Sequence, residues 1–411
     1  MDTQKVQKMR NSCRIYQFLI MLVLCFGAIN IALAGSAVEN FDKLALSDSD
    51  AQQTFQQSLP YTLKTTIKKE PDGTYYVITG TDLPFMWVRD SSAQLYPYVY
   101  MSKNDVMLQN IIRGTILRHM KHFNASVEDA PFINSWKDDY TPHEYKYEPD
   151  GVAYLIRLAW LYWKVTGDEK WAHMTGDFEA HQAFNHAVDV LKKHTGPTGM
   201  IKCKNRPSDD WTAYPYLIPT NMFLASMLPK LAEMYSKIWN DPVRAEECKT
   251  LSQNIKAGIA KYGIYHHPFY GDMWAYEVDG TQNGYVFLAD DANVPSLLSA
   301  PYLEFSSSTD PVYQNTREFI LNKKGLFNQY YFTGSYGEGV GSPHTQNDWV
   351  WPMSVILQAM TSVDESEIPL MLKYLNNFDK DKGAYYVHES VNPNDPTQYT
   401  RQSFAWGNAL Y

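Results

Sequence analysis

Helical apolar stripes alternate through this 411-residue chain with connectors too long and too aromatic to be plain helix links. Between Ser102 and His122, Met107, Leu108, Ile111, Ile112, Ile116 and Leu117 recur at helical spacing behind a capping Asn104 or Asp105. Gly151 to Thr166 repeats the pattern and Gly167-Asp168 ends it, before a further run from about Phe178 to Lys193. Phe223 to Ile238 makes a long stripe with an expected kink at Pro229, answered by Asp241 to Ala260; Pro311 to Leu321, Trp351 to Thr361 and Glu365 to Asn376 continue the series. Strand signals are few and short. With no Gly/Ser run, Pro-rich tract or charge block after the first forty residues, a single large domain is expected. The economical architecture is a toroid of paired helices whose connectors gather at one end around a pocket. Periodicity by itself leaves a helical solenoid open.

The connectors carry the chemistry. Arg206-Pro-Ser-Asp-Asp-Trp-Thr-Ala-Tyr-Pro-Tyr-Leu-Ile-Pro-Thr-Asn221 sets two adjacent carboxylates among aromatics and prolines, which makes it a shaped loop. An acid beside aromatic walls can hydrogen-bond a sugar and have its pKa raised; alone, the same pair reads as a solvated turn before the next helix. Ile78 to Ser92 crowds Asp82, Trp87, Arg89 and Asp90 together, and His143 to Asp150 adds Glu144 and Lys146. Fixed cations beside carboxylates bind vicinal hydroxyls and keep neighbouring acids ionised, although each cluster singly fits a surface salt-bridge mesh. Tyr276-Glu-Val-Asp-Gly280 contributes Glu277, and Ala289-Asp-Asp-Ala-Asn293 contributes Asn293 and Asp290, the latter equally a helix cap. Gly334, Gly337, Gly339 and Gly341 precede Ser342-Pro-His-Thr345 and fit close backbone approach to a sugar or a neighbouring loop rather than a phosphate cradle. Glu389, between His388 and Ser390 in an aromatic segment, is expected to be buried and to need partners. The histidines lack metal-ligand spacing, and no Gly-x-Ser-x-Gly elbow is present.

The first fourteen residues carry Lys5, Lys8, Arg10 and Arg14, Phe18 to Ala28 is apolar, and Ala32-Leu33-Ala34 precedes Gly35. That layout is expected to be a secretory signal peptide over residues 1–34, with an uncleaved membrane anchor as the alternative. Without those residues, whose four basic groups and one acid contribute +3, the formal charge moves from −9 to about −12, which argues against nucleic acid. Cys203 and Cys248 are the cysteines outside the leader; the compartment permits one disulfide, and two buried free thiols fit as well. Asn124-Ala-Ser126 is a glycosylation sequon that must lie on the surface if used. Abundant aromatics, 30 Tyr and 11 Trp, many beside Asp, Glu or Asn, suit carbohydrate, whose CH faces stack on rings.

Several long motifs together resemble glycoside hydrolase family 125: Asp82-Leu-Pro-Phe-Met-Trp-Val-Arg-Asp-Ser91, Arg206-Pro-Ser-Asp-Asp210 with Tyr214-Pro-Tyr-Leu-Ile-Pro and Asn221-Met-Phe, Tyr276-Glu-Val-Asp-Gly280, Asp290-Asp-Ala-Asn-Val-Pro-Ser-Leu297, Ser342-Pro-His-Thr345 and His388-Glu-Ser390. The resemblance covers about residues 40 to 411. It implies an all-α (α/α)6 barrel and a metal-independent, cofactor-free exo-α-mannosidase that removes terminal α-1,6-linked mannose with inversion, from an oligosaccharide or a glycoprotein glycan. It places the general acid on Asp209 or Asp210 and the general base on Glu389. Asp82, Trp87, Arg89, Asp90, Glu144, Lys146, Arg206, Tyr214, Asn221, Glu277, Asn293 and His344 become the expected sugar contacts. An inverting α-glycosidase for another sugar and a carbohydrate-binding protein without turnover are the rival readings. Thr81 departs from the family pattern, which runs Gly-Asp directly, and the last helix, beginning near Arg401, is expected to be cut short at Tyr411.

Overall fold

The computed structural model describes residues 49–282, 284–322, 328–378, 386–402 and 404–411; the leader, 1–34, lies outside them. Helices dominate: α1 (Ser49–Ser58), α2 (Tyr61–Thr65), α3 (Val88–Val99), α4 (Val106–Phe123), α5 (Asp150–Thr166), α6 (Ala180–Lys193), α7 (Ile218–Lys237), α8 (Pro242–Gly258), α9 (Pro311–Ile320), α10 (Pro352–Met360), α11 (Glu367–Phe378) and α12 (Ala405–Leu410). Among the described residues no helix is long and apolar enough to cross a membrane.

Sequence chemistry sets the boundaries of several. Asp105 caps α4 by accepting from the Leu108 amide at 3.0 Å, and Asp241 and Asp310 cap α8 and α9 in the same way. Gly167 ends α5 in the left-handed conformation, its amide returning to the Trp163 carbonyl. The long helix α7 runs from Ile218 to Lys237 with Pro229 inside it.

The helices form two layers of a toroid. On the inside α3 packs on α5, α5 on α7, and α12 returns to α3; α4, α6 and α8 lie outside them, α10 pairs with α11, and α1 rests against α11 and α12. The fourth inner position is taken by turns, Val294 to Phe305. They are tied in by the Tyr154 hydroxyl donating to the Val294 carbonyl and by Arg157 donating to that of Tyr302. One apolar core runs continuously from Tyr76 to Trp406, and a smaller cluster around Val355, Leu375 and Val391 sits under α10 and α11. This is the expected barrel of paired helices, with an all-turn stretch in one of its inner places.

Short antiparallel strands decorate one another's connectors. Those that matter for function are β1 (Met86–Trp87), β2 (Ile133–Trp136) and β3 (Pro142–Tyr147) in one sheet, β4 (Tyr216–Leu217), β5 (Glu277–Val278) and β6 (Val286–Phe287) in a second, and the hairpin β7 (Ser390–Val391) with β8 (Tyr399–Thr400).

Three expectations on side features can be settled. Cys203 and Cys248 are both free thiols, buried, with burial pushing each thiol pKa up. The glycine run serves neighbouring loops: a Cβ on Gly334 would stand 2.4 Å from the Pro393 carbonyl oxygen, and one on Gly341 2.1 Å from that of Trp349. Asn124, half-buried at the end of α4, donates its amide to the carbonyls of Asp177 and Glu179, both at 3.0 Å, so glycosylation there would have to break both bonds.

Candidate active site

Asp209 stands at the centre of the connectors. Its backbone takes φ +69°, a left-handed conformation that costs a non-glycine residue on the order of 1 kcal/mol. Three hydrogen bonds hold the turn: Arg206 N to the Asp210 carbonyl at 2.7 Å, Asp209 N to the Arg206 carbonyl at 2.9 Å, and Asn205 Nδ2 to the Asp209 carbonyl at 3.3 Å. The consequence is that the two neighbouring carboxylates part. Asp209 faces a cavity, whereas Asp210 turns back to accept from Ser208 Oγ at 2.8 Å and to face His344 Nδ1 at 3.7 Å.

That cavity is tight, with about 50 Å³ of room, well below the roughly 300–1,000 Å³ usual for ligand pockets. Trp87, Arg89, Asp90, Asn293, His344 and Glu389 line it together with Asp209, and Trp351, Phe404 and Trp406 supply aromatic walls. Glu389 enters from the segment leading into the β7–β8 hairpin. Its amide bonds the Thr400 carbonyl, which brings Arg401 alongside, and Arg401 Nε donates to Glu389 Oε1 at 2.9 Å. Arg401 itself has φ +47° and reaches Asp82 Oδ2 with Nη1 at 3.1 Å. Thus two chain segments 180 residues apart in sequence place an acid each in one cavity. A roomier surface groove beside α6 and α8, lined by Lys192, Pro242, Val243, Glu246 and Glu247, has its acids on neighbouring cations: Glu247 is bonded to Lys192 and Arg244, and Glu246 pairs with Lys249.

Arg89, buried at the start of α3, organises the acids. Its Nη1 lies 2.5 Å from Glu148 Oε2 and 3.4 Å from Asp150 Oδ2, its Nε 3.3 Å from Asp90 Oδ2, and its Nη2 3.6 Å from Asp209 Oδ1. Lys146 Nζ adds a second cation 3.5 Å from Asp209 Oδ2 and 3.2 Å from Glu144 Oε2. Burial pushes the Asp209 pKa up, but Arg89, a hydrogen bond with Glu148, Lys146 and His344 outweigh it and hold the carboxyl below its ordinary range. Asp90 goes the other way: burial dominates Arg89 and raises it to about 6. His344 is raised, first by its hydrogen bond to Asp210 and then, against its burial, by Asp209, Asp210 and Glu389. Among the described residues no group of three or more His, Cys, Asp or Glu side chains is arranged to hold a metal ion.

Not every expected sugar contact faces the cavity. Glu277 is wholly buried and accepts from Arg206 Nε at 2.6 Å, Ala213 N at 2.6 Å and Tyr214 N at 3.0 Å. Glu277, with three donors on its two oxygens, therefore clamps the acid-bearing loop to β5 through Arg206 and the two backbone amides. Asn221 likewise spends its amide on Ile201 and Leu217, and Tyr214 stacks on Tyr285 with ring centres 6.4 Å apart. Glu144, Lys146 and Asp82 are not among the residues that line the cavity; Lys146 joins Asp209 to Glu144, and Asp82 pairs with Arg401. Asp290 accepts from the amides of Leu297 and Leu298, so it caps a turn rather than a helix.

Sequence reasoning passed over Arg401, Trp351 and Trp406, and within the second connector it passed over Glu148 and Asp150. For Arg401 the signal was available in principle: two short β-compatible stretches flank Asp395-Pro396, and such a hairpin returns position 401 to Glu389.

Comparison with known proteins agrees with this geometry. A family model described as metal-independent alpha-mannosidase (GH125) matches residues 48–198 and 192–411. The Meiotically up-regulated gene 157 protein of Schizosaccharomyces pombe is 33% identical over 435 aligned positions, which span 90% of this chain and 82% of that protein. A Streptococcus pneumoniae metal-independent α-mannosidase, solved in a non-productive complex with α-1,6-mannobiose, superposes with a TM-score of 0.80 at 32% identity, covering 91% of this chain and 95% of that one. A bacterial glucoamylase complexed with acarbose shares the fold at a TM-score of 0.63 and 14% identity, over 90% of this chain and 55% of its own. The toroid, the acidic cavity and the matched family model lead to one assignment: the chain belongs to glycoside hydrolase family 125, the metal-independent α-mannosidases.

Proposed function

We propose that this chain is an exo-acting, inverting α-1,6-mannosidase that removes a terminal mannose from oligosaccharides, glycoprotein glycans among them, within the secretory pathway. The observation that carries the reading is the placement of Asp209 and Glu389 in one small cavity walled by Trp351, Phe404 and Trp406. So tight a space favours a single terminal sugar over the middle of a glycan. The α-1,6 linkage follows the disaccharide held by the Streptococcus pneumoniae relative, and the compartment follows the charged, then apolar leader.

In this mechanism Asp209 is the general acid and Glu389 the general base. As the glycosidic bond breaks, Asp209 gives its proton to the leaving oxygen. Glu389, aimed by Arg401, takes a proton from the water that attacks the opposite face of the sugar. Asp210 does not touch the sugar; through Ser208 and His344 it holds the loop and the imidazole. Feeding the purified protein α-1,6-mannobiose while following the anomeric proton signals tests this directly. First-formed β-mannose is the expected product. No release of mannose, or first-formed α-mannose, sinks the reading.

A further inference from the structure

The acid Asp209 is not surrounded as a lone carboxyl would be. Four carboxyl groups, from Asp90, Glu148, Asp150 and Asp209, face the single guanidinium of Arg89. The first three are buried with it, and Asp209 is mostly so. Beside them stand Lys146, itself shared with Glu144, His344, shared with Asp210, and Arg401, shared with Glu389 and Asp82. Like charges this close in a low-dielectric interior cannot all ionise, so the cluster retains a proton.

Hydrogen-bond geometry says where it sits. The two hydrogens of Asn134 Nδ2 face three carboxylate oxygens: Glu144 Oε2 at 3.4 Å, Glu148 Oε1 at 3.5 Å and Asp209 Oδ1 at 3.3 Å. Lys146 Nζ, 3.2 Å from Glu144 Oε2, serves the first of these, which leaves Asn134 holding Glu148 Oε1 and Asp209 Oδ1 side by side. Arg89 reaches the same two carboxyls, and a proton shared between them relieves the repulsion of two buried charges so placed.

We propose that Glu148 is a positioning residue which shares one proton with Asp209 and recharges the general acid of this site. The proposal rests on the assignment of Asp209 as general acid made above. Electrostatics supports it: burial, then the charge of Asp209, push the Glu148 carboxyl well above its usual range, so the resting proton is on Glu148. During turnover it passes from Glu148 to the Asp209 carboxylate, and from Asp209 to the glycosidic oxygen as the carbon–oxygen bond breaks. Water adds to the anomeric carbon and leaves its proton on Glu389. That proton goes to solvent, and one from solvent returns to Glu148, so each cycle consumes one water and no net proton.

The test compares Glu148→Gln and Glu148→Asp with wild type in pH profiles of kcat/KM, on α-1,6-mannobiose and on 2,4-dinitrophenyl α-mannoside, whose leaving group needs no proton. Glu148→Gln is expected to lose about 10²-fold on the disaccharide and less than about tenfold on the aryl substrate, the scale of one lost acid contribution. Its alkaline limb should move to lower pH, and Glu148→Asp should restore most of both. An unshifted limb, or equal losses on the two substrates, overturns the proposal. Should the amide variant not fold, infrared spectra of wild type labelled with 13C-glutamate read the same proton: a protonated glutamate carbonyl band at neutral pH is expected, and its absence overturns the proposal. A wild-type protein that releases no mannose would instead defeat the functional reading on which this one stands.

Discussion

A left-handed backbone at Asp209 turns two adjacent carboxylates apart, and of the two only Asp209 lines the cavity. Asp209 looks into the cavity with Glu389; Asp210 is spent on Ser208 and His344. Substitutions at the three acids should therefore separate by leaving group. Asp209→Asn is expected to lower kcat on α-1,6-mannobiose by about 10²–10⁴-fold and far less on 2,4-dinitrophenyl α-mannoside. Glu389→Gln should lose a similar factor on both substrates, because the water must still be activated whatever departs. Asp210→Asn, which keeps an oxygen for Ser208, should cost about tenfold or less on either. Steady-state rates on the two substrates check all three, and an Asp210→Asn variant showing the leaving-group dependence expected of Asp209→Asn would transfer the acid role to it.

At the scale of elements, the acid loop is held by a sheet rather than by its own chemistry. Glu277 on β5 takes three donors from that loop, and its partner Arg206 is buried over the rings of Tyr276 and Phe287. Glu277→Gln leaves a buried guanidinium unpaired and is expected to cost about 3–5 kcal/mol of stability. Denaturant unfolding measures that loss. The accompanying fall in kcat should be equal for substrates with good and poor leaving groups, since a slack loop misplaces the acid without abolishing any one proton transfer. The same distinction explains what could be read from residues alone. The helices were legible because their apolar stripes face a core and their caps are local, as at Asp105 and Gly167. Trp87, Arg89, Asp209 and Glu389 were legible because dense acid, aromatic and cation motifs have few other uses. The roles of Glu277, Arg206 and Asn221 were not, since a buried clamp and a sugar contact use the same polar side chains and differ only in direction. Arg401 is returned to Glu389 by a hairpin whose local pattern is weak, and Trp406 reaches the site on α12, a long-range placement that no local pattern encodes. The turns from Val294 to Phe305 stand where a helix would, held by Tyr154, Arg157 and Tyr313 from other elements.

The whole ring carries buried titratable groups whose linkage to folding runs in opposite directions. His119 on α4, bonded to Ser91 of α3 at 2.8 Å, is depressed to about 3, by burial and then by Arg118, and its neighbour His122 is also driven down. A histidine whose folded pKa lies below its unfolded value near 6.5 contributes stability fully above that value and loses it as pH falls toward the folded one. Asp290, at the fourth inner position, is raised to about 8 because burial outweighs the Leu298 and Leu297 amides. With a folded pKa above the unfolded one, its contribution is complete below pH of about 4 and declines as pH rises through 8. The two trends cross, so the melting temperature should peak on the acid side of neutrality, at about pH 5–6.5, and fall on both sides. Variants separate the limbs without depending on absolute stability: Asp290→Asn should flatten the alkaline decline between pH 6 and 8, and His119→Gln the acid decline between pH 6 and 4. Thermal unfolding across pH for the three proteins measures both slopes. If Asp290→Asn keeps the wild-type slope above pH 6, the aspartate is ionised in the folded ring and the alkaline limb belongs to the Arg89 cluster, where Asp90 and Glu148 are raised in the same sense.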